Sequence, residues 1–429
     1  MRIAMLSVHS SPLAALGGKE AGGMNVYVRE LSRELGRRGM NIDIFTRSQD
    51  PLAPPIVALD RGVRVVNLHT GPRVPYDKNW LLAYLPEFVN RVRCFADGQD
   101  LTYDLIHSHY WLSGEAALAL RRSWDTPVVH MFHTLGVMKN YVARGAEERE
   151  TSQRVVIERR LMDQADAIVA ATALDRDQMV RHYGADADRI RIVPCGVDLW
   201  RFAPRDMAAA RAALDLPLPP HRLLLLVGRI EPLKGIDMLI RALALLIERR
   251  PEWRGALMVG IVGGCGEGER ARWNAEQRRL DTLRHELEVA DAVRFLGARP
   301  QEQLPMFYAA ADVVTMPSHY ESFGMAALEG LACGRPVVGT EAGGPSLIVE
   351  DGISGLLAPP GDPEALADRF ERLLADDVLR AEMGAAARRR AERFGWPAVT
   401  CDIMQVYRDT LEQATLRPSV RVRRYAEAR

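Results

Sequence analysis

The chain of 429 residues alternates short apolar runs with longer helical stretches, and it does so in two successive series. In the first, the candidate strands are Arg2–Val8, Asn41–Thr46, Val63–Leu68, Asp104–His107, Pro127–His133, Ala167–Ala171 and Arg191–Pro194, with helix patterns such as Asn25–Arg38 and Ser152–Asp163 between them. In the second they are Arg222–Val227, Ala256–Val262, Val293–Leu296, Val313–Met316, Pro336–Gly339 and Gly355–Leu357. Strands alternating with helices demand parallel sheets covered on both faces, which places the chain in the α/β class. A junction at Val193-Pro-Cys-Gly-Val-Asp198, continuing to Phe202-Ala-Pro204, separates the series. The length suits two domains of about 200 residues each.

Composition narrows the function classes. Lys+Arg and Asp+Glu both number 56, so net charge is zero and nothing favours a nucleic-acid partner. No apolar run has the length of a membrane span, so stable membrane insertion is not expected. The start, MRIAMLSV, reads as a strand and not as a signal peptide. The five cysteines lie far apart without metal-ligand spacing and read as reduced thiols of a cytoplasmic protein. The basic tail Arg417–Arg429 reads as solvated.

Chemistry concentrates between Asp312 and Gly344. A buried strand, Val313–Met316, leads through Ser318-His-Tyr-Glu-Ser-Phe-Gly324 into a helix pattern, Met325–Cys333. Glu321 thus stands outside the carboxyl end of a strand, where open α/β sheets bind ligands. Glu329 follows eight residues later, so the spacing predicts both carboxylates on one side, two turns apart. Gly228-Arg-Ile-Glu-Pro-Leu-Lys-Gly235 puts Arg229 and Lys234 at another strand end. Two fixed cations there can neutralise a departing nucleoside diphosphate, a task a metal performs in many transferases. The turn Gly17-Gly-Lys-Glu-Ala-Gly-Gly-Met-Asn25, between strand and helix, can bring backbone close to a phosphate or be only a flexible loop. His107-Ser-His-Tyr-Trp111 and His130-Met-Phe-His-Thr134 each end a strand. No carboxylate or cysteine cluster accompanies them, so a metal site is not expected.

ESFGMAALE resembles the Glu-x7-Glu motif of retaining, GT-B-fold glycosyltransferases of family 4. P-S-x-x-E-S-F-G before it, A-C-G-x-P-V-V after it and the separate G-R-x-x-P-x-K-G strengthen the likeness. The resemblance implies two Rossmann-like domains facing a cleft: an acceptor-binding domain over residues 1–200, a nucleotide-sugar domain over 201–396, and a C-terminal helix within 397–429 crossing back to the first. It implies that Arg229, Lys234, Glu321 and His133 carry the reaction, with Glu321 on donor hydroxyls and His133 on the donor hexose. It also implies donor contacts from Gly22, Gly23, Ser322, Phe323, Gly324 and Met325, a ribose contact from Glu329, and Arg299 stacked on the base. Retention in the family is explained by same-face attack, with the leaving diphosphate taking the acceptor proton and no protein nucleophile.

GGMNVYV, YDLIHSHYWLSG and H-T-L-x-x-x-K-N resemble the mycothiol-pathway branch, which moves N-acetylglucosamine to inositol 1-phosphate. That likeness implies an acceptor site of Asn25, Lys78, Tyr110, Thr134 and Arg154, with Lys and Arg caging a phosphate. Sucrose-phosphate synthases are the next resemblance, although Met24 stands where they usually carry Gln. The expected partners are therefore a nucleotide sugar, UDP-GlcNAc or UDP-glucose, and a phosphorylated acceptor, with no cofactor and no metal; a homodimer is compatible with the sequence. A non-hydrolysing sugar-nucleotide epimerase and a sugar-nucleotide-binding regulator are the readings of other classes. The acceptor cage and the intact Arg229–Lys234 and Glu321–Glu329 sets count against them.

Overall fold

The computed structural model describes residues 1–14, 22–48, 50, 52–72 and 78–416, with only the main chain of residue 78. Much of the glycine turn, Gly17 to Ala21, and the Lys78 side chain thus lie outside the described residues.

The first sheet holds β1 (Arg2–Leu6), β2 (Asn41–Ser48), β3 (Ile56–Asp60), β4 (Val63–His69), β5 (Leu105–His109), β6 (Val128–Met131), β7 (Ala167–Ala170) and β8 (Ile190–Ile192). Its order is β3-β4-β2-β1-β5-β6-β7-β8. The second holds β9 (Arg222–Val227), β10 (Leu257–Val262), β11 (Val293–Phe295), β12 (Val313–Met316), β13 (Val337–Thr340) and β14 (Gly355–Ala358), in the order β11-β10-β9-β12-β13-β14. Every neighbouring pair is parallel except β3–β4. Strand order reverses direction at β1 and at β9, so each sheet has a switch point at the carboxyl ends of its first strands, where crevices form.

The antiparallel β3 is absent from the sequence reading. It carries a short apolar run, Ile56-Val-Ala-Leu59, but follows Pro54-Pro55 and lies half-exposed at the sheet edge.

The last helix, Trp396–Leu416, packs on the first domain. Val399, Ile403, Val406 and Tyr407 recur at helical spacing and form its buried face. Burying each aliphatic side chain of that face contributes roughly 1.5–3 kcal/mol. The Trp396 ring sits 5.5 Å from Tyr27, and the Tyr407 hydroxyl lies 2.7 Å from His107 Nδ1. Arg38 also donates to the Pro397 carbonyl at 2.9 Å. Among the described residues, no helix is long and apolar enough to cross a membrane.

Candidate active site

The carboxyl ends of the two sheets face one another across a cleft lined from both domains. On the second-domain wall, Arg229 leaves β9 and pairs with Glu231 at 2.9 Å. The short turn Pro232–Lys234 carries Lys234 towards the end of β12, where its Nζ meets Glu321 Oε2 at 2.5 Å. Main-chain bonds hold the Glu321 backbone: its N–H donates to Ala342 at 3.0 Å and its carbonyl accepts from Gly344 at 2.8 Å. This close approach needs the Gly343-Gly344 pair. A Cβ on Gly343 would lie 2.0 Å from the Glu321 carbonyl oxygen, and one on Gly344 would lie 1.8 Å from that of Phe323.

The expected two-turn relation between Glu321 and Glu329 does not hold. Gly324 adopts a left-handed conformation, φ +98°, and the helix starts only at Met325, so Glu321 lies on the preceding loop. Glu329 is buried and does not line the cleft; its carboxylate accepts from Tyr308 Oη at 2.7 Å and Gln301 Nε2 at 3.3 Å. Burial pushes the Glu329 carboxyl up to about 7. The folded protein therefore keeps this proton well above the ordinary carboxylate range. The associated stability is complete below about pH 4.5 and is lost as pH rises through about 7. Melting temperatures of the wild type and Glu329→Gln should converge at low pH and separate above neutrality, the wild type falling faster. Parallel pH profiles would refute the assignment.

On the first-domain wall, Gly22 and Gly23 open the helix Gly23–Arg37 and lie against Arg229 and Met325 of the other domain. Asn25 secures this turn: Nδ2 donates to Ser10 Oγ at 2.7 Å and to the Ser11 carbonyl at 2.6 Å, and Oδ1 accepts from the Gly22 N–H at 2.9 Å. It borders the cleft with its amide already bonded within its own domain. Tyr110 and His133, just beyond β5 and β6, have φ of +73° and +61°, sparsely populated for such side chains and characteristic of functional sites. His133 Nε2 lies 3.0 Å from His109 Nδ1. Burial holds His133 and His107 down at about 3, and His109 and His130 well below the imidazole range, so all four are neutral at pH 7. His107, His109 and His130 are wholly buried; of the two histidine clusters only His133 reaches the cleft. His9, which the sequence reading missed, also lines it, with its ring 4.3 Å from that of Tyr110.

Tyr110, Thr134 and Arg154 come together as expected. Arg154 donates to Tyr110 Oη at 3.1 Å, Thr134 Oγ1 at 3.1 Å and the Thr134 carbonyl at 2.8 Å. Its charge, however, is matched within the protein: the guanidinium is fully buried and pairs with Glu158 at 2.7 Å and Glu150 at 2.9 Å. Glu158 also accepts from the Gly136 N–H at 3.0 Å and from the Tyr183 hydroxyl. Glu150 is shared with Lys139, which lines the cleft and was visible only as the Lys of H-T-L-x-x-x-K-N. Arg299 lies in an adjoining recess that Arg229 also borders, its guanidinium 5.8 Å from the Phe307 ring centre. Ser322 donates to Asp175 Oδ2 of the first domain at 2.9 Å, and Phe323 packs 6.3 Å from Phe394. Arg144 bridges to Glu276 at 3.2 Å and Asp237 at 3.7 Å, so the two domains are in contact around the cleft. Among the described residues no group of three or more His, Cys, Asp or Glu could hold a metal ion.

Residues 21–201 match the family described as Glycosyltransferase Family 4, and residues 216–390 match Glycosyl transferases group 1. A protein of Saccharomonospora viridis named D-inositol 3-phosphate glycosyltransferase is 42% identical over 96% of this chain and 94% of its own length. The D-inositol 3-phosphate glycosyltransferase 2 of Catenulispora acidiphila is 43% identical over 96% of this chain and 95% of its own. Among solved structures, the sucrose-phosphate synthase of Thermosynechococcus elongatus superposes with a TM-score of 0.86 at 34% identity, covering 96% of this chain and 99% of that one. The Anabaena protein HepE, solved with UDP and glucose, shares the fold at a TM-score of 0.72 and 21% identity, over 95% of this chain and 100% of that one.

Proposed function

Because the chain belongs to the D-inositol 3-phosphate glycosyltransferase family and is a glycosyltransferase of the GT-B fold, we propose that it moves a hexosyl unit from UDP-GlcNAc or UDP-glucose to an inositol phosphate, with retention of configuration. The observation that carries this reading is the cleft itself. Arg229 and the Lys234–Glu321 pair stand on one wall, opposite the Gly22-Gly23 helix start and His133 on the other. In this reading the first domain, 1–200 with the helix in 397–429, takes the acceptor, and 201–396 takes the nucleotide.

Each residue then has a role its environment permits. Arg229 and Lys234 neutralise the diphosphate as the C1–O bond breaks. The N–H groups at Gly23 and the Phe323-Gly324-Met325 helix start approach the donor's anionic and hydroxyl oxygens, and Gly22 lets the main chain come close. Glu321 accepts from donor hydroxyls. His133, neutral at pH 7, acts as a hydrogen-bond partner of the hexose and not as a proton carrier. The acceptor oxygen bonds to C1 from the face the diphosphate leaves, and its proton passes to the departing phosphate oxygen. Lys139, Tyr110 and Thr134 surround the acceptor phosphate, with Lys78 as a further cation, and the buried Arg154 holds Tyr110 and Thr134 in place. Arg299 faces the base. The five free thiols accord with a reducing compartment, and we place the reaction in the cytoplasm.

The test is UDP release and product mass across both donors and a panel of acceptors: inositol 1- and 3-phosphate, fructose 6-phosphate, free inositol and free fructose. Turnover confined to the inositol phosphates supports the reading, and equal use of the free polyols overturns it. The similarity to sucrose-phosphate synthase favours a second reading, which turnover of fructose 6-phosphate would establish in its place. EDTA should leave the rate unchanged, because Arg229 and Lys234 supply the charge at the diphosphate. Loss of activity in EDTA, restored by magnesium or manganese, would contradict that.

A further inference from the structure

Asp175 is a buried carboxylate that the proposed reaction does not use. It is the third residue of the helix Ala173–Tyr183, and its N–H donates to the capping Thr172 hydroxyl at 2.9 Å. Its Oδ2 accepts from Ser322 Oγ at 2.9 Å. Ser322 belongs to the other domain and directly follows Glu321. Glu321, Ser322, Thr172 and the Ala171 main chain face the Asp175 carboxyl, and Glu321 is a like charge. A buried carboxylate beside a second one depends strongly on its donors, and Ser322 is the donor from across the domain boundary. The contact borders a small chamber whose lining residues His133, Thr134 and Ser322 also line the cleft.

We propose that Asp175 is a positioning residue: through Ser322 it holds the Glu321 loop against the first domain, in register with His133, so that the donor-binding wall is complete only when the domains are closed. This rests on the glycosyltransferase reading above for its effect on turnover, but not for its effect on closure. The Gly343-Gly344 strap fixes the Glu321 backbone within its own domain, and the Asp175–Ser322 bond then fixes that loop relative to the other.

The experiment is a double-mutant cycle of Asp175→Ala and Ser322→Ala, with Asp175→Asn as the conservative variant. Each alanine variant should lower kcat about tenfold, the scale of one buried hydrogen bond, with a smaller change in donor KM. The double variant should be no worse than the worse single one, and Asp175→Asn, whose amide oxygen still accepts, should recover most of the rate. Small-angle X-ray scattering without ligand and with UDP reads closure without turnover. Both alanine variants should show a larger radius of gyration than wild type, and Asp175→Asn should match wild type. Additive losses in kcat, or alanine variants as compact as wild type in both conditions, would overturn the proposal. If no acceptor supports turnover, the substrate reading fails and the scattering alone decides this one.

Discussion

Replacing Lys234 with alanine is expected to lower kcat by about 10²–10³, the cost of removing one preorganised charge from a developing anion, while the protein stays folded. Lys234 Nζ lies 2.5 Å from Glu321 Oε2, and the two side chains are only 21% and 16% exposed. The pair compensates both charges. When a diphosphate enters and its negative charge grows, the ammonium is the group able to answer it from this position. The stability cost should be small, because the side chain sits on a short turn at the cleft rim and not in a core. The pair itself contributes on the order of 1 kcal/mol. Single-turnover rates with donor and acceptor saturating, beside a melting curve, separate the two effects. A folded Lys234→Ala protein with near wild-type kcat would remove Lys234 from the reaction.

Arg154→Ala should act mainly on the fold. From sequence alone the expectation is a raised acceptor KM, since the resemblance implies Arg154 as a ligand of the acceptor phosphate. In the structure its guanidinium is wholly buried and balances Glu158 and Glu150, themselves 0% and 5% exposed. Truncation would leave Glu158 without its cation, Glu150 keeping Lys139, and stranding one buried carboxylate costs about 3–5 kcal/mol. Native stability is itself only about 5–15 kcal/mol. The variant should therefore unfold at much lower urea, and adding Glu158→Gln should restore part of the loss. An unchanged urea midpoint would contradict this. The acceptor role is better tested with Arg154→Lys, which keeps a charge but loses the fork that reaches Tyr110, Thr134 and Glu158 together; it should raise the acceptor KM more than the donor KM.

The fold was legible in the sequence because buried parallel strands are apolar along their whole length. Arg222–Val227 and Val313–Met316 coincide with their strands, while Asp104–His107 runs two residues further, to His109. β3 was missed although Ile56-Val-Ala-Leu59 is apolar, because so short a run directly after two prolines reads as a loop as readily as a strand. At the site, strand-end motifs located Arg229, Lys234, Glu321 and His133, because position after a strand is a local property. Side-chain direction is not local. Whether Glu329 looks into the cleft or towards Tyr308 depends on a left-handed turn at Gly324, and Asp175 meets Ser322 only through the domain arrangement. One signal went unused: Arg154 and Glu158 are four apart, the spacing of a helical ion pair.

The helix Trp396–Leu416 gives the first domain a peculiar relation to the order of synthesis. Its Trp396 covers Tyr27 and fills the space above Gly196, where a Cβ would lie 2.5 Å from the indole, and its Tyr407 reaches His107 beneath the cleft histidines. The amino-terminal domain is therefore finished by a helix that is made only after the whole second domain. These contacts close loops of some 300 residues, as between His107 and Tyr407, the kind of non-local pairing that slows folding. The second domain, contiguous in sequence, can consolidate first, while the neighbour that precedes it waits with an open apolar face on β1, β5 and the helix Gly23–Arg37.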